Sequence, residues 1–411
     1  MMFNGLWILV AGILVFIGLV ASQGLFLVVG ALVIIVTLTG RLWDRYAFLQ
    51  VTHGRIIPLS RAFIGDTLEY TVTLSNDKIL PLIWVDILDP FPPGLELSGG
   101  SLRGNLLEGI RHHRITTSLL PYQKVSWRYS LQCTARGYHR IGPVRLRSGD
   151  IFGFSSGETS LPGISPVIVY PRMIDLDELV FPAQHPLGET KGQRPLYPDA
   201  SRFLGQREYQ PTDPMKYIHW KGTARRGSLQ TKIFDPVVSL NVLIAMNGST
   251  NQYPWQGVNR AFFERTVTAA ASVAGYCDQL GYSFGLASNA VSSYSSSWLR
   301  VPLGASPQQL YQVLDGLARA APYVVTSLAD VIRGERDTLP AGTTVVLVTP
   351  VVTGALTQEV EEILDRGYRM MALYTGDGAP EMDLSGVPWI HVGRVLASLV
   401  DKGLLADGLA V

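Results

Sequence analysis

The sequence predicts a multi-domain α and β chain, with a transmembrane helical hairpin, an antiparallel β-sandwich and a C-terminal α/β domain in that order. Three observations carry this expectation. No charged residue occurs between Met1 and Gly40. Period-two alternation sets in near residue 61 and persists to about 170. Beyond residue 238, apolar strand-like runs alternate with helical ones. At 411 residues the chain can build two or three cores. Its formal net charge of +1, with the bases dispersed, leaves no electrostatic footprint for nucleic acid.

The N-terminal stretch "GLWILVAGILVFIGLVASQGLFLVVGALVIIVTLTG" breaks only at Ser22-Gln23-Gly24. One uninterrupted helix would run about 50 Å, well over a bilayer core of about 30 Å. Two helices, over about 5–21 and 24–39, fit that thickness better and predict contact with the bilayer through residues 5–39. A secretory leader would need a positive n-region and no second apolar run directly behind it, and the chain offers neither condition. Arg41, Arg45, Arg55 and Arg61 follow the second run, so the hairpin's ends and the soluble domains are expected to face the cytoplasm. Residues 41–60 read as a juxtamembrane linker.

Residues 61–172 carry the sandwich. Leu68, Tyr70, Val72 and Leu74 alternate with Thr67, Glu69, Thr71 and Thr73. Further strand runs are expected at 82–88, 112–119, 124–134, 143–147 and 165–170, punctuated by Ser75-Asn76-Asp77, Pro92-Pro93-Gly94, Gly99-Gly100 and Arg136-Gly137. Many short strands at this spacing point to an immunoglobulin-like β-sandwich, with a jelly roll as the alternative. In "VSWRYSLQC", Val125, Trp127, Tyr129, Leu131 and Cys133 share one face. Cys277 falls in helical register with Phe263, Val267, Ala270 and Ala274. Both cysteines are therefore expected as small core residues rather than a disulfide or a nucleophile. His112 and His113 are adjacent, so their rings point to opposite strand faces, which suits a surface feature rather than a metal pair.

Residues 173–238 are Pro- and Gly-rich and form a junction segment. From 239 to 411 the pattern is α/β: a strand at 239–246, a helix at 258–280, a strand at 282–288, and a helix opened by Ser306-Pro307. A strand at 343–349, a helix capped by Thr357 and running to Asp365, and a strand at 369–375 follow. Such alternation makes a parallel sheet with helices on both faces, and ligands bind beyond its strands' carboxyl ends. The first such end reads "AMNGST". A von Willebrand A-like domain would place an Asp-x-Ser-x-Ser Mg²⁺ site there, because a hard cation needs oxygen ligands with a carboxylate among them. Ala245, Asn247 and Ser249 occupy that register and Thr349-Pro350 the later strand end, so neither a metal nor another cofactor is expected. There is no phosphate-cradling P-loop and no nucleophile elbow.

The densest set of reactive side chains is "QPTDPMKYIHWKGTARRG", residues 210–227. Pro211 to Pro214 reads as a turn in which Asp213 accepts backbone N–H bonds. "KYIHWKGTARRG" reads as a short extended or helical piece closed by Gly227. Leu229, Thr231 and Ile233 then alternate in a strand that feeds the α/β domain. As chemistry, Asp213, His219 and Lys221 suggest a hydrolase, with His219 as general base and Lys221 or Arg225 as an oxyanion or phosphate clamp. As structure, Asp213 pairs with Arg225 while Trp220 and Ala224 pack into the junction. No nucleophile or orienting carboxylate stands beside His219 in sequence, so a non-enzymatic role is expected. Lys216, Lys221, Arg225 and Arg226 are candidates for contact with phosphate or anionic lipid.

These residues also carry a resemblance. "REYQPTDPMKYIHWKGTARRGSLQTKIFDP" resembles the signature of the bacterial domain-of-unknown-function family 58, which runs Arg-x-Tyr-x-x-Gly-Asp and then Ile-[His/Asp]-Trp-[Lys/x]-x-[Thr/Ser]-Ala-Arg. Here Arg207, Tyr209, Asp213, Ile218, His219, Trp220, Lys221, Thr223, Ala224 and Arg225 carry it, and Thr212 departs from the usual Gly. "RGYHRIGPVRLRSGDIFGF", residues 136–154, is similar to a second segment of that family, with Ile151 replacing Pro. The resemblance implies a protein anchored in the bacterial inner membrane with a von Willebrand A-like C-terminal domain. It implies a non-enzymatic adaptor or assembly factor for protein maturation or envelope function, acting with a MoxR-type AAA+ ATPase and possible further membrane proteins. In that reading the motif residues from Arg207 to Arg225 are an interaction surface.

Overall fold

The computed structural model describes residues 5–104, 111–150, 156–175, 203–210, 215–234, 241–293 and 297–401. Two apolar helices open it, α1 (Gly5–Val20) and α2 (Gly24–Tyr46), joined where Ser22 takes a left-handed backbone. They pack closely because glycine lines the contact: a Cβ on Gly30 would meet the Val15 side chain at 2.6 Å. Among the described residues, the window Gly24–Arg41 of α2 is the one long and apolar enough to cross a membrane, and α1 is shorter.

The expected linker at 41–60 is replaced by structure. Helix α2 continues to Tyr46, Trp43 and Ala47 enter the sandwich core, and β1 (Val51–Ile56) follows. The reason is spacing: Trp43 and Ala47 lie four residues apart on one helix face, so the last turns of α2 have an apolar stripe to bury.

Eleven further strands complete the sandwich region: β2 (Arg61–Phe63), β3 (Thr67–Asn76), β4 (Leu82–Phe91), β5 (Leu95–Ser98), β6 (Leu102–Arg103), β7 (Arg111–Leu119), β8 (Lys124–Cys133), β9 (Gly137–Ile141), β10 (Val144–Gly149), β11 (Ser156–Leu161) and β12 (Ser165–Tyr170). They form a sheet in the order β1-β3-β8-β5, a second in the order β11-β10-β4-β7-β6, and a three-stranded sheet β2-β12-β9. The alternation seen in sequence holds: Leu68, Tyr70, Val72 and Leu74 are buried against Ile87, Phe91, Leu131 and Leu146. Cys133 is buried as expected. His113 corrects an expectation. It is buried, edge-on to Tyr129 with ring centres 4.7 Å apart, while His112 stays half-buried beside Arg145. One apolar strand face draws His113 inward, and the pleat turns its neighbour the other way.

Within this core the buried Asp89 carboxylate accepts from Arg55 Nε at 2.7 Å, from Arg55 Nη2 at 2.8 Å and from the Tyr70 hydroxyl at 2.6 Å. Arg55 also donates to the carbonyls of Ile141 and Gly163. Buried charges persist only when paired and hydrogen-bonded in this way. Gly142 (φ 104°) is required beside them, since a Cβ there would lie 2.3 Å from the Gly163 carbonyl.

A hairpin of β13 (Phe203–Glu208) and β14 (Gln230–Phe234), with α3 (Trp220–Arg226) in its connection, precedes the α/β domain. That domain contains β15 (Asn241–Met246), α4 (Arg260–Gln279), β16 (Ser283–Ser292), β17 (Trp298–Gly304), α5 (Gln309–Arg319), β18 (Ala320–Val324), α6 (Leu328–Arg336), β19 (Thr344–Thr349), α7 (Gly354–Asp365), β20 (Arg369–Tyr374), β21 (Trp389–His391) and α8 (Gly393–Leu396). The sheet order is β17-β16-β15-β19-β20-β21, parallel from β16 to β21, with β17 antiparallel at one edge and β18 also paired to β16. One face packs on α4 and α5 through Phe263, Val267, Ala270, Ala274 and Cys277, the register seen in sequence. The other packs on α6 and α7.

Two helix starts differ from expectation. Helix α5 begins at Gln309 rather than at Ser306-Pro307, because the buried Gln309 amide is drawn to the Phe284 and Pro302 carbonyls at 2.7 and 2.8 Å. Helix α7 begins at Gly354 with Thr353 before it, so Thr357 lies inside, its hydroxyl donating to the Thr353 carbonyl.

The two domains share an interface. Ile168, Tyr170 and Ile174 join the α/β core. The Tyr170 hydroxyl donates to Asp315 at 2.8 Å, and Arg61 donates to the same carboxylate at 3.0 Å. Arg136, in the turn between β8 and β9, pairs with Glu264 of α4 through two bonds of 2.7 and 2.9 Å. Its Nη1 donates to the carbonyls of Leu317 and Ala320 at the end of α5, and its guanidinium lies 5.2 Å from the Phe263 ring centre. Strand β8 runs from Lys124 to Cys133, about 30 Å at about 3.3 Å per residue. The α/β domain is therefore held at the end of the sandwich opposite α2.

Burial holds three imidazoles of the sandwich neutral. Burial and the nearby Arg55 cation push His53 down to about 4 against an opposing pull from Asp89. Burial also lowers His113 and His139. The unfolded chain therefore binds more protons than the folded one below about pH 6.5, and stability is lost as pH falls from there toward 4. Thermal unfolding of the detergent-solubilised protein should show a midpoint that drops steadily across that window, with a shallower drop in His53→Gln. A flat profile in the wild type contradicts the assignment.

Candidate functional site

The signature segment folds as a small module built from backbone pairing. Strands β13 and β14 pair antiparallel, with Gln206 opposite Lys232 and Glu208 opposite Gln230. The Tyr209 N–H extends the ladder to the Leu229 carbonyl at 2.8 Å, and Ile218 makes an isolated bridge to Thr231. Helix α3 is fastened to this ladder. The His219 N–H donates to the Gln230 carbonyl at 2.7 Å, and the Gln230 N–H donates to the Thr223 hydroxyl at 3.0 Å.

Several motif positions follow from this geometry. His219 is the N-cap of α3, its Nδ1 accepting from the Gly222 N–H at 2.9 Å. That bond satisfies a helix-start donor otherwise left orphaned. Gly222 is the buried residue of α3, and a Cβ on it would lie 2.1 Å from the Gln206 side-chain oxygen. Gly227, at φ 73°, terminates α3 in the left-handed conformation, its N–H donating to the Thr223 carbonyl at 2.9 Å. The closing role read for Gly227 is therefore observed.

Other expectations are corrected. Trp220 and Ala224, expected as packing residues, are both exposed, Trp220 by 70 %. The short helix turns Gly222 inward, which leaves the first residue of α3 facing solvent. Leu229 is exposed while Gln230 and Thr231 are both buried, so β14 does not alternate cleanly. Its backbone is engaged from one side by His219 and Thr223 and from the other by β13. Arg207 is exposed and donates to the Glu208 carbonyl, and Tyr209 is half-buried. Lys216, Lys221, Arg225 and Arg226 are exposed, with the Lys216 ammonium 5.0 Å from the Tyr217 ring centre. Asp213, and with it the Asp213–Arg225 clamp, lies outside the described residues, as does the 151–154 end of the second motif.

A cavity of about 440 Å³ lies at the carboxyl edge of the parallel sheet, where β15 stands between β16 and β19. This is the switch point at which open α/β sheets bind ligands. Its lining residues are all uncharged, drawn from Asn247–Tyr253, Gly257–Val258, Pro322–Leu328, Thr353 and Leu356. Asn247 and Asn289 spend their amides on one another's loops. Asn247 Oδ1 accepts from the Ser249 N–H at 3.0 Å and its Nδ2 donates to Thr349 Oγ1 at 3.0 Å. Asn289 Oδ1 accepts from the Gly248 N–H at 2.7 Å, and its Nδ2 donates to Ser249 Oγ at 3.2 Å and to the Thr326 carbonyl at 3.1 Å. Ala245 is buried in the core on the α6–α7 face. The oxygens a hard cation would need are neutral and already bonded, so this set does not fit Mg²⁺. Among the described residues, no group of three His, Cys, Asp or Glu side chains comes together.

The family model described as "Protein of unknown function DUF58" matches residues 205–373, from within β13 to within β20. The DUF58 match thus takes in the signature module and most of the α/β domain. A relative from Bacillus subtilis (strain 168), titled "Uncharacterized protein YeaD", is 28 % identical over 246 residues, covering 59 % of this chain and 57 % of its own length. The aligned region thus spans little more than half of that relative. Among solved structures, the CARDB domain of the PF1109 protein from Pyrococcus furiosus is 14 % identical, covering 29 % of this chain and 91 % of that one at a TM-score of 0.19. A non-cellulosomal cohesin from Archaeoglobus fulgidus is 12 % identical with the same coverage and TM-score.

The sequence pattern did not single out Gln206, Gly222 or Gln230, which hold the DUF58 module together. The small residue inside "WKGTARR" was the available signal for a close approach. The cap assignment separates structure from chemistry at His219. His219→Asn keeps a cap acceptor, whereas His219→Ala removes it at a cost of about 1 kcal/mol. Function in cells and thermal midpoint should both survive in the Asn variant and both fall in the Ala variant. Loss of function in the Asn variant at an unchanged midpoint would point to proton transfer instead.

Proposed function

We propose that this chain is a membrane-anchored, non-enzymatic adaptor whose signature module docks a partner protein, a MoxR-type AAA+ ATPase, in protein maturation or envelope function. The observation that carries the reading is the division of labour within the motif. Its His219, Gly222, Thr223 and Gly227 are consumed in building α3 onto β14, and Trp220 stands exposed among Lys221, Arg225 and Arg226. Met215, 75 % exposed, and Leu229, 45 % exposed, extend the apolar part of that surface. Exposed tryptophan and arginine are the side chains most often found as anchors at protein interfaces. The surrounding cations suit an acidic rim on the partner.

In this proposal the β-region is an immunoglobulin-like sandwich and the C-terminal domain is von Willebrand A-like. Support for the latter comes from the sheet order and the position of Ala245, Asn247 and Ser249 at the first strand end. Helix α2 anchors the chain in the bacterial inner membrane, and Arg41 and Arg45 directly behind its apolar run support a cytoplasmic location for both domains.

Crosslinking in native membranes followed by affinity purification tests the proposal. The wild type should recover a MoxR-type ATPase, and recovery should fall about tenfold or more in Trp220→Ala and in the pair Lys221→Glu, Arg225→Glu. Their thermal midpoints should stay unchanged, because the three side chains are exposed. Equal recovery by wild type and variants, or no ATPase with the wild type, contradicts the proposal.

A further inference from the structure

The end of the sandwich that receives α2 carries an apolar surface of its own. Five strand ends meet there, because Val51 of β1 pairs with Asn76 of β3, Ser75 with Lys124 of β8, and Leu82 of β4 with Leu119 of β7. The loop at 77–81 and the loop at 120–123 are therefore neighbours. The buried Asn76 side chain ties them, its Nδ2 donating to the Leu80 and Leu120 carbonyls at 3.0 Å each. The Tyr122 N–H donates to the Lys78 carbonyl, and the Asp77 N–H donates to the Gln50 carbonyl just behind α2. With the backbone groups so occupied, the side chains of the tips project outward. Ile79 is 77 % exposed, Leu120 67 %, Tyr122 71 % and Leu49 57 %.

Single exposed apolar residues are ordinary, but four large ones clustered at adjoining tips mark an interaction surface. The helix beside them indicates what covers it. The apolar run of α2 ends at Gly40, and Ala47, seven residues on, is in the sandwich core. That interval is about 10 Å of helix against about 5–8 Å for one headgroup layer, so this end of the sandwich meets the outer edge of that layer. Because Trp43 and Ala47 are packed into the sandwich, the helix end and the loop tips move as one body. Arg45 and Lys124 are exposed on the same end, where cations meet anionic headgroups, and an exposed Tyr suits the water–lipid boundary.

We propose that the tips Ile79, Leu120 and Tyr122, with Leu49, form a second, shallow membrane contact that seats this end of the sandwich in the headgroup region of the bilayer entered by α2. The inference rests on the reading of α2 as a membrane anchor. It makes the sandwich a spacer of fixed orientation and places the α/β domain, joined at the opposite end, away from the lipid.

Depth-dependent quenching in the full chain tests this. The two native cysteines, Cys133 and Cys277, are buried, so an added surface cysteine takes the label selectively, with the unmodified chain as background. Separate variants Ile79→Cys, Tyr122→Cys, Leu32→Cys in α2 and Val325→Cys in the α/β domain are labelled with an environment-sensitive fluorophore. Each is reconstituted into phosphatidylcholine–phosphatidylglycerol vesicles carrying spin-labelled lipid. The fluorophore at 32 should be quenched by chain-labelled lipid, those at 79 and 122 about twofold or more by headgroup-labelled lipid, and that at 325 by neither. Quenching at 32 without quenching at 79 and 122 overturns the second contact and leaves the anchor standing. No quenching at 32 overturns the anchor and this inference with it. Equal quenching at 79, 122 and 325 also overturns it, because the contact is then not confined to the tips.

Discussion

The guanidinium of Arg136 is the interaction on which the arrangement of this molecule depends. It sits in the turn between β8 and β9, belongs to the sandwich by chain position, and is satisfied almost entirely by the α/β domain. Glu264 takes two of its donors and the carbonyls at the end of α5 take others, where a cation is also favoured by the helix dipole. Removing one partner of such a buried pair costs about 3–5 kcal/mol, because the other is left charged in a poorly solvated place. Asp315 repeats the arrangement nearby by accepting from Tyr170 and Arg61. Two domains that would otherwise meet through a modest apolar patch are thereby fixed in orientation.

At the other end of the sandwich the chain is equally committed. Trp43 and Ala47 carry α2 into the core, so the apolar helices are coupled to the sandwich without a hinge. Between these junctions the buried Arg55–Asp89–Tyr70 set ties strands of both main sheets together. The outcome is a stack of helix, sandwich and α/β domain, with orientation transmitted along its length. Trp220 and the cations of the short signature helix remain exposed.

The parts of this architecture governed by local periodicity were legible in the sequence. Leu68, Tyr70, Val72 and Leu74 announced their strand, Phe263 to Cys277 announced their helix face, and Gly227 announced the end of α3. What failed depended on partners distant in sequence. Trp43 looks like a linker residue until the sandwich is there to receive it, and Gln309 delays a helix because Phe284 offers a carbonyl. Near the signature the errors concern direction rather than location. A tryptophan beside a histidine reads as a packed junction, but once His219 caps α3 and Gly222 turns inward, Trp220 points to solvent. Arg136 stood inside a recognised motif, yet nothing in "RGYHRIGP" names Glu264 as its partner.

The central claim is that sandwich and α/β domain form one rigid body through Arg136, and a distance distribution across their junction tests it most directly. Lys124, at the α2 end of the sandwich, and Glu361, on α7, are both exposed, and the native cysteines are buried. Spin labels at Lys124→Cys and Glu361→Cys in the full chain, reconstituted in lipid, should give a single narrow distribution by pulsed electron–electron resonance. The same pair with Arg136→Ala should give a broad one. A broad distribution with Arg136 in place, or a narrow one that survives its removal, would contradict the account.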